Sequence, residues 1–127
     1  EQLEIVQPLR KGDPCLFSVL NQTKTAMGAR CLKELLKAPF LEVSVIQQRL
    51  DVVDLFVKHF SERELLRKQL ESMVDVQRVL NRLLSLERNP QDLYALATCL
   101  STALDLADRL AFFQHPLLQS IGLKSVD

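Results

Sequence analysis

The sequence predicts an all-α fold, a bundle of about five to six helices joined by short loops within a single domain over residues 1–127. Three observations predict it. Leucine, a strong helix former, supplies about a fifth of the chain. The β-branched residues are scattered among polar ones and never gather into alternating runs, and apolar residues recur at spacings of three and four. Finally, only three Gly and five Pro punctuate the chain.

The elements follow in order. Leu3 to Leu9 reads as a short extended segment, and Lys11-Gly12-Asp13-Pro14 as a turn. A short helix is expected over Leu16 to Leu20. Thr25 is placed to cap the next helix, its hydroxyl accepting an orphan backbone N–H. Met27, Cys31 and Leu35, with Leu32 and Leu36, form that helix's apolar stripe. Pro39 stops it, because the residue before a proline disfavours helical geometry. A third helix runs from about Ser44 to Phe60. Its Ile46, Leu50, Val53, Val57 and Phe60 repeat at 4-3-4-3, the spacing of a helix packed along a near-parallel neighbour. Ser61 and Glu64 make a capping box that opens a fourth helix through Leu65, Leu66 and Leu70. Asp75 caps a fifth, which carries Val76, Val79, Leu80, Leu83 and Leu84. Asn89-Pro90 pairs an N-cap amide with proline at the first helical position. The helix it starts has Leu93, Leu96, Leu100, Leu104, Ala107 and Ala111 in register and is expected to reach Phe113. His115-Pro116 then breaks the pattern, leaving a short turn or frayed end.

Composition excludes several classes of protein. Hydrophobic residues make up 47% and charged residues 25%, and the formal net charge is zero. That is the balance of an ordinary globular domain, neither disordered nor strongly basic in the manner of a dedicated nucleic-acid module. No apolar run approaches the ~18 residues of a membrane span, and the N-terminus is too polar for a signal peptide. Cys15, Cys31 and Cys99 lie beside apolar residues with no C-x-x-C pair, so they read as buried reduced thiols of a protein in the cytoplasm or a nucleus. The chain starts at Glu1, which suggests processing or a piece of a longer protein.

Chemistry is scarce. Gly12, Gly28 and Gly122 are too far apart to form a phosphate-cradling loop. Neither His59 nor His115 follows a carboxylate by three residues, as a helical di-metal site requires. Asp51/Asp54 and Asp105/Asp108 share helix faces, yet such carboxylate pairs are common on solvated surfaces. His59 lies near a helix end, where a cation favours the dipole. No catalytic, cofactor-binding or metal site is predicted. Gly28 is the oddity, since glycine early in a helix costs about 1 kcal/mol relative to Ala. Close approach of another backbone would offset that cost. A binding alternative rests on Arg10, Lys11, Lys24, Arg30, Lys33 and Lys37. Of these, Arg30, Lys33 and Lys37 share a helix face and are candidates for DNA-phosphate contact.

A resemblance goes further than composition. Leu3-Glu4-Ile5, Leu16-Phe17-Ser18-Val19-Leu20-Asn21 and Thr23-Lys24-Thr25-Ala26-Met27-Gly28-Ala29-Arg30 resemble the start of the core domain of the MutS mismatch-recognition family. So do Leu35-Leu36-Lys37-Ala38-Pro39-Phe40, Ile46-Gln47-Gln48-Arg49-Leu50-Asp51-Val52-Val53, Asp75-Val76-Gln77-Arg78-Val79-Leu80 with Arg82, and Asn89-Pro90-Gln91-Asp92-Leu93. The blocks come in the family's order over roughly residues 3–100, and their wording is closer to bacterial members than eukaryotic ones. Asn21 stands where the family often has Asp, and Gln91 where it often has Arg. Past Leu104 the match fades.

The resemblance implies a structural and signal-transmitting core module of a dimeric, ATP-dependent repair protein. Mismatch reading, the DNA clamp, and ATP and Mg binding would then lie in other domains of the parent chain, with DNA reached through that parent. The residues singled out as structural are Thr25, Gly28 and Pro90. The helix over 90–113 is the candidate carrier of movement. Phe40-Leu41-Glu42 and Phe60-Ser61-Glu62 both read Phe-x-Glu, the family's mismatch-reading motif. They fall at helix ends rather than in the upstream domain where the family places it, and are expected to be coincidental.

Overall fold

The computed structural model describes residues 5–6, 8, 10, 13–85 and 89–120. Seven helices cover most of them: α1 (Leu16–Leu20), α2 (Ala26–Lys37), α3 (Val43–Lys58), α4 (Phe60–Glu71), α5 (Val76–Leu84), α6 (Pro90–Ala111) and α7 (Pro116–Gln119). No strand occurs among the described residues, so the all-α expectation holds. The extended segment expected from Leu3 to Leu9, and the Lys11-Gly12 part of the turn after it, lie largely outside the described residues.

Local chemistry sets the helix starts. The Thr25 hydroxyl accepts the Gly28 N–H at 2.9 Å, which caps α2. Asp75 caps α5 by accepting from the Arg78 N–H, and the Asn89 side chain accepts the Gln91 N–H at 3.0 Å ahead of Pro90. Each cap satisfies a donor that no intrahelical carbonyl can reach. At α1, Ser18 Oγ accepts the Cys15 N–H at 3.0 Å and donates to the Cys15 carbonyl at 2.8 Å, closing the first turn on itself.

One start differs from expectation. Helix α4 begins at Phe60, with His59 as its N-cap and no side-chain cap bond, so the Ser61–Glu64 box does not form. The reason is continuity: His59 alone leaves helical geometry between α3 and α4. Its N–H still donates to the Leu55 carbonyl, and its own carbonyl accepts the Arg63 N–H. With α4 starting at Phe60, Ser61 is already inside the first turn and cannot serve as its N-cap.

Gly28 sits where the sequence signalled a constraint, but the close neighbour is not another backbone. A Cβ at Gly28 would lie 3.0 Å from Thr25 Oγ1 and 3.4 Å from the Thr23 Cβ, both side chains of the capping loop. The glycine keeps room for the cap. We expect Gly28→Leu to melt below Gly28→Ala in a circular-dichroism scan. Both substitutions add the Cβ that crowds Thr25 Oγ1, and alanine and leucine are comparable helix formers, but leucine extends further into the capping loop. Equal midpoints would mean that the capping loop yields freely.

Helix α5 packs on α6, α3 on α4 and α7, α4 and α7 on α6, and α1 on α2. The buried apolar residues are few: Cys15, Leu66, Val79, Cys99, Leu106 and Leu118. Two registers depart from the sequence expectation. On α3 the stripe Ile46, Leu50, Val53 and Val57 is exposed, as is Phe60, while Val45, Val52, Leu55 and Phe56 turn inward. On α6 the inward residues are Asp92, Cys99 and Leu106, flanked by half-buried Leu96, Ala103 and Leu110; Leu93, Leu100, Leu104 and Ala111 are exposed. Both helices carry apolar residues on more than one face, and the neighbours they meet decide which face is covered. Cys31, expected inside, is exposed on α2, whereas Cys15 and Cys99 are buried as free thiols.

Helix α6 spans 22 residues, about 33 Å at 1.5 Å per residue, and ends two residues short of Phe113. Gln114 then takes a left-handed conformation, φ 47°, which turns the chain. His115 Nδ1 accepts the Leu117 N–H at 3.2 Å and caps α7. The Phe113 ring meets Phe56 edge-on at 5.3 Å and His59 at 5.4 Å, tying the end of α6 to the α3–α4 junction.

Candidate functional site: paired charges across three helices

Among the acidic residues in first turns or caps, where the helix dipole favours negative charge, are Asp75 before α5 and Asp92 in α6. Each receives a guanidinium from another helix. Arg30 of α2 donates twice to Asp75, from Nη1 at 2.7 Å and Nη2 at 2.9 Å. Arg82, in the last turn of α5, donates to Asp92 from Nε at 3.0 Å and Nη2 at 2.6 Å. Fork-to-fork pairing of this kind fixes orientation as well as distance, which an ammonium could not do. Lys24 adds an ion pair to Glu71 at the end of α4. Together these contacts tie α2 to α4 and α5, and α5 to α6.

The electrostatics follow from the geometry. The Arg30 hydrogen bonds, helped by the Arg78 N–H, hold the Asp75 carboxyl down at about 2, below its ordinary 3.8. Arg82 likewise holds the Asp92 carboxyl low, against the opposing effect of burial. Because the folded value of Asp75 lies below its unfolded one, its contribution is complete above about pH 5 and is lost as pH falls towards about 2. Wild type is therefore expected to exceed Asp75→Asn in urea stability at pH 7, with the gap closing between about pH 5 and pH 2. Asparagine keeps an acceptor for the cap but removes the charge and one of the two acceptors that face Arg30. A gap independent of pH would show that the pair does not act through ionisation.

The residues predicted for DNA contact are distributed differently. Arg30 is committed to Asp75, and Lys37 donates to Glu34 at 2.8 Å on the same helix. Lys33 is half-buried between them. Lys24 is paired, Arg10 is exposed, and Lys11 lies outside the described residues. The basic stretch is thus largely neutralised within the domain. Thr25 and Pro90 occupy the cap and first-turn positions expected of them, and Gly28 clears the cap.

Other candidates resolve into local contacts. Asp51 accepts from Gln47 at 2.9 Å, and Asp54 pairs with Lys58 at 2.6 Å. No group of three His, Cys, Asp or Glu among the described residues could hold a metal ion. The phenyl rings of the two Phe-x-Glu triplets carry arginines, Arg49 over Phe40 and Arg63 over Phe60, each at 4.9 Å. An apolar cleft of about 550 Å³ opens between α3, α4, α6 and α7, floored by Leu66, Leu70, Leu106 and Leu118. Among the described residues no helix is long and apolar enough to cross a membrane.

Arg30, Asp75, Arg82 and Asp92 all fall within the sequence blocks that carry the family resemblance. Their pairing is invisible in sequence, because Arg30 and Asp75 are 45 residues apart and no periodicity links them. The one available signal was chemical, namely the acids Asp75 and Asp92 at two helix starts, and it does not say which arginine each would meet.

Comparison with known proteins agrees with those blocks. The family described as MutS domain III matches residues 1–124. The DNA mismatch repair protein MutS of Streptococcus pneumoniae serotype 2 is 36% identical over 118 residues, covering 91% of this chain and 14% of that protein. The DNA mismatch repair protein HexA of Streptococcus pneumoniae serotype 4 is similar to the same extent, 36% over 118 residues with the same coverage. The chain thus spans about a seventh of the length of these relatives. No solved structure matches it.

Proposed function

Because this chain belongs to the MutS domain III family, we propose that it is the helical core module of a DNA mismatch repair protein and transmits strain between that protein's DNA-binding and ATP-hydrolysing parts. Its own residues would perform no bond chemistry. DNA, ATP and Mg would be bound by other domains of a longer, dimeric, cytoplasmic protein. The observation that carries this reading is the pair of bidentate contacts, Arg30–Asp75 and Arg82–Asp92, spanning α2, α5 and α6. Helices tied at fixed angles by two-pronged contacts, as α2 is to α5 and α5 to α6, pass a displacement on instead of absorbing it. Coupling then requires that some packed element have two arrangements, which DNA and nucleotide bias differently.

The test is Arg82→Gln in the full-length repair protein that carries this segment. Mismatch binding and basal ATP hydrolysis should persist, while stimulation of nucleotide exchange by mismatched DNA falls. Normal stimulation in a folded variant overturns the reading. The alternative, a DNA-backbone-binding module built on the basic residues of 10–37, makes a separate forecast. It requires the 127-residue chain itself to bind duplex DNA with a steep salt dependence in an anisotropy titration. A core module shows no mismatch preference at physiological salt.

A further inference from the structure

Helices α3 and α4 meet at a break that their own sequence does not dictate. Residues 43–71 contain neither glycine nor proline, and the capping box at Ser61 does not form. Sharp helix breaks ordinarily come from such residues or from a group inserted into the backbone ladder. Here His59 alone leaves helical geometry, with φ −102° and ψ 66°. No bond runs from the N–H groups of Phe60, Ser61 and Glu62 to the carbonyls of Phe56, Val57 and Lys58. This arrangement therefore gives up the three backbone hydrogen bonds that a continuous helix would make there.

The contacts that hold the break come from elsewhere in the fold. The Phe113 ring, beyond the end of α6, sits edge-on to Phe56 at 5.3 Å and to His59 at 5.4 Å. From the α4 side, Arg63 Nη1 donates to the Phe56 carbonyl at 3.4 Å, in place of the Phe60 N–H. Gln114, with φ 47°, turns the chain after Phe113, and α7 beyond it packs on α3. The inside of the angle is poorly filled. The apolar cleft of about 550 Å³ has Phe56 of α3 on one side and Arg63, Leu66 and Leu70 of α4 on another. Across such a gap the two helices forgo the dispersion contacts that would fix their angle.

We infer that the α3–α4 joint is a latched hinge, bent while the Phe113 ring is seated against Phe56 and His59, and a continuous helix over 43–71 once that ring withdraws. Straightening recovers three backbone hydrogen bonds and loses two aromatic contacts with part of the packing on α7. These are gains and losses of similar scale, which leaves the two arrangements close in free energy. The inference stands apart from the proposed function; joined to it, the joint is the packed element with two arrangements that coupling requires.

Nitroxides at Gln48→Cys and Lys68→Cys, both exposed positions, read the joint by pulsed electron resonance in the full 127-residue chain. A Cys31→Ser background removes the exposed thiol and leaves Cys15 and Cys99 buried. A continuous helix sets the two positions about 30 Å apart, and the break brings them closer. The labelled chain without further change should show the shorter distance as its main population. Phe113→Ala should move the main population to about 30 Å with helical circular dichroism undiminished. His59→Ala and His59→Gly form a second pair, at an exposed residue whose replacement removes no core packing. Both lose the ring contact, but only alanine favours a continuous helix, so its ratio of long to short distances should be about fivefold higher. A single short distance in all three variants, equal ratios in His59→Ala and His59→Gly, or a Phe113→Ala chain that loses helix instead of straightening each overturns the inference.

Discussion

Leu100→Pro is expected to destabilise the domain by about 3 kcal/mol or more, while Leu100→Ala leaves it within about 0.5 kcal/mol of wild type. Leu100 lies midway along α6 with its side chain 56% exposed, so truncation removes little packing. Proline at the same place removes the N–H that bonds back one turn and drives its ring into the carbonyl of residue 96. The damage does not stay local, because α4, α5 and α7 all pack on α6. Domains of this size hold only about 5–15 kcal/mol in total, and few side chains are buried here, so the proline variant should be substantially unfolded near 37 °C. Thermal scans of the two variants test this together. A proline variant melting close to the alanine variant would show that the distal half of α6 contributes nothing to the fold.

The sequence made helix ends legible and left helix faces largely hidden, for a physical reason. A cap is a contact across two or three residues, so Thr25, Asp75 and Asn89-Pro90 could be recognised without knowing the fold. The failure at Ser61 comes from the same locality. Its capping box needs the chain to leave helical geometry at Ser61, whereas the break falls at His59 and α4 already begins at Phe60, and no local rule sees where α3 ends. Faces are set by what packs against them. Helix α6 has Leu93, Leu100 and Leu104 on one side and Cys99, Leu106 and Leu110 on another, and a Leu-rich period fits either. The candidate site was half legible. Its four residues stand in blocks that carry the family resemblance, yet Arg30 read as a phosphate contact because Asp75 enters its surroundings only through the fold.

That ambiguity on α6 can be settled with two truncations. Leu106 is buried between α6 and its neighbours, 8% exposed, whereas Leu104 is 52% exposed. Leu106→Ala is expected to cost about 2–3 kcal/mol, the lower part of the range for buried leucine, because the residue borders the apolar cleft and its surroundings can relax into the gap. Leu104→Ala should cost under about 1 kcal/mol, since little surface leaves water there on folding. Leucine and alanine are both good helix formers, so propensity does not separate the two variants. Urea unfolding with a shared slope gives the comparison, because an unchanged slope means that only stability moved. If Leu104→Ala proved the costlier change, the buried stripe would be the one through Leu93, Leu100 and Leu104. Asp92 would then turn outward with it, and the Arg82–Asp92 contact could not join α5 to α6 as it does here.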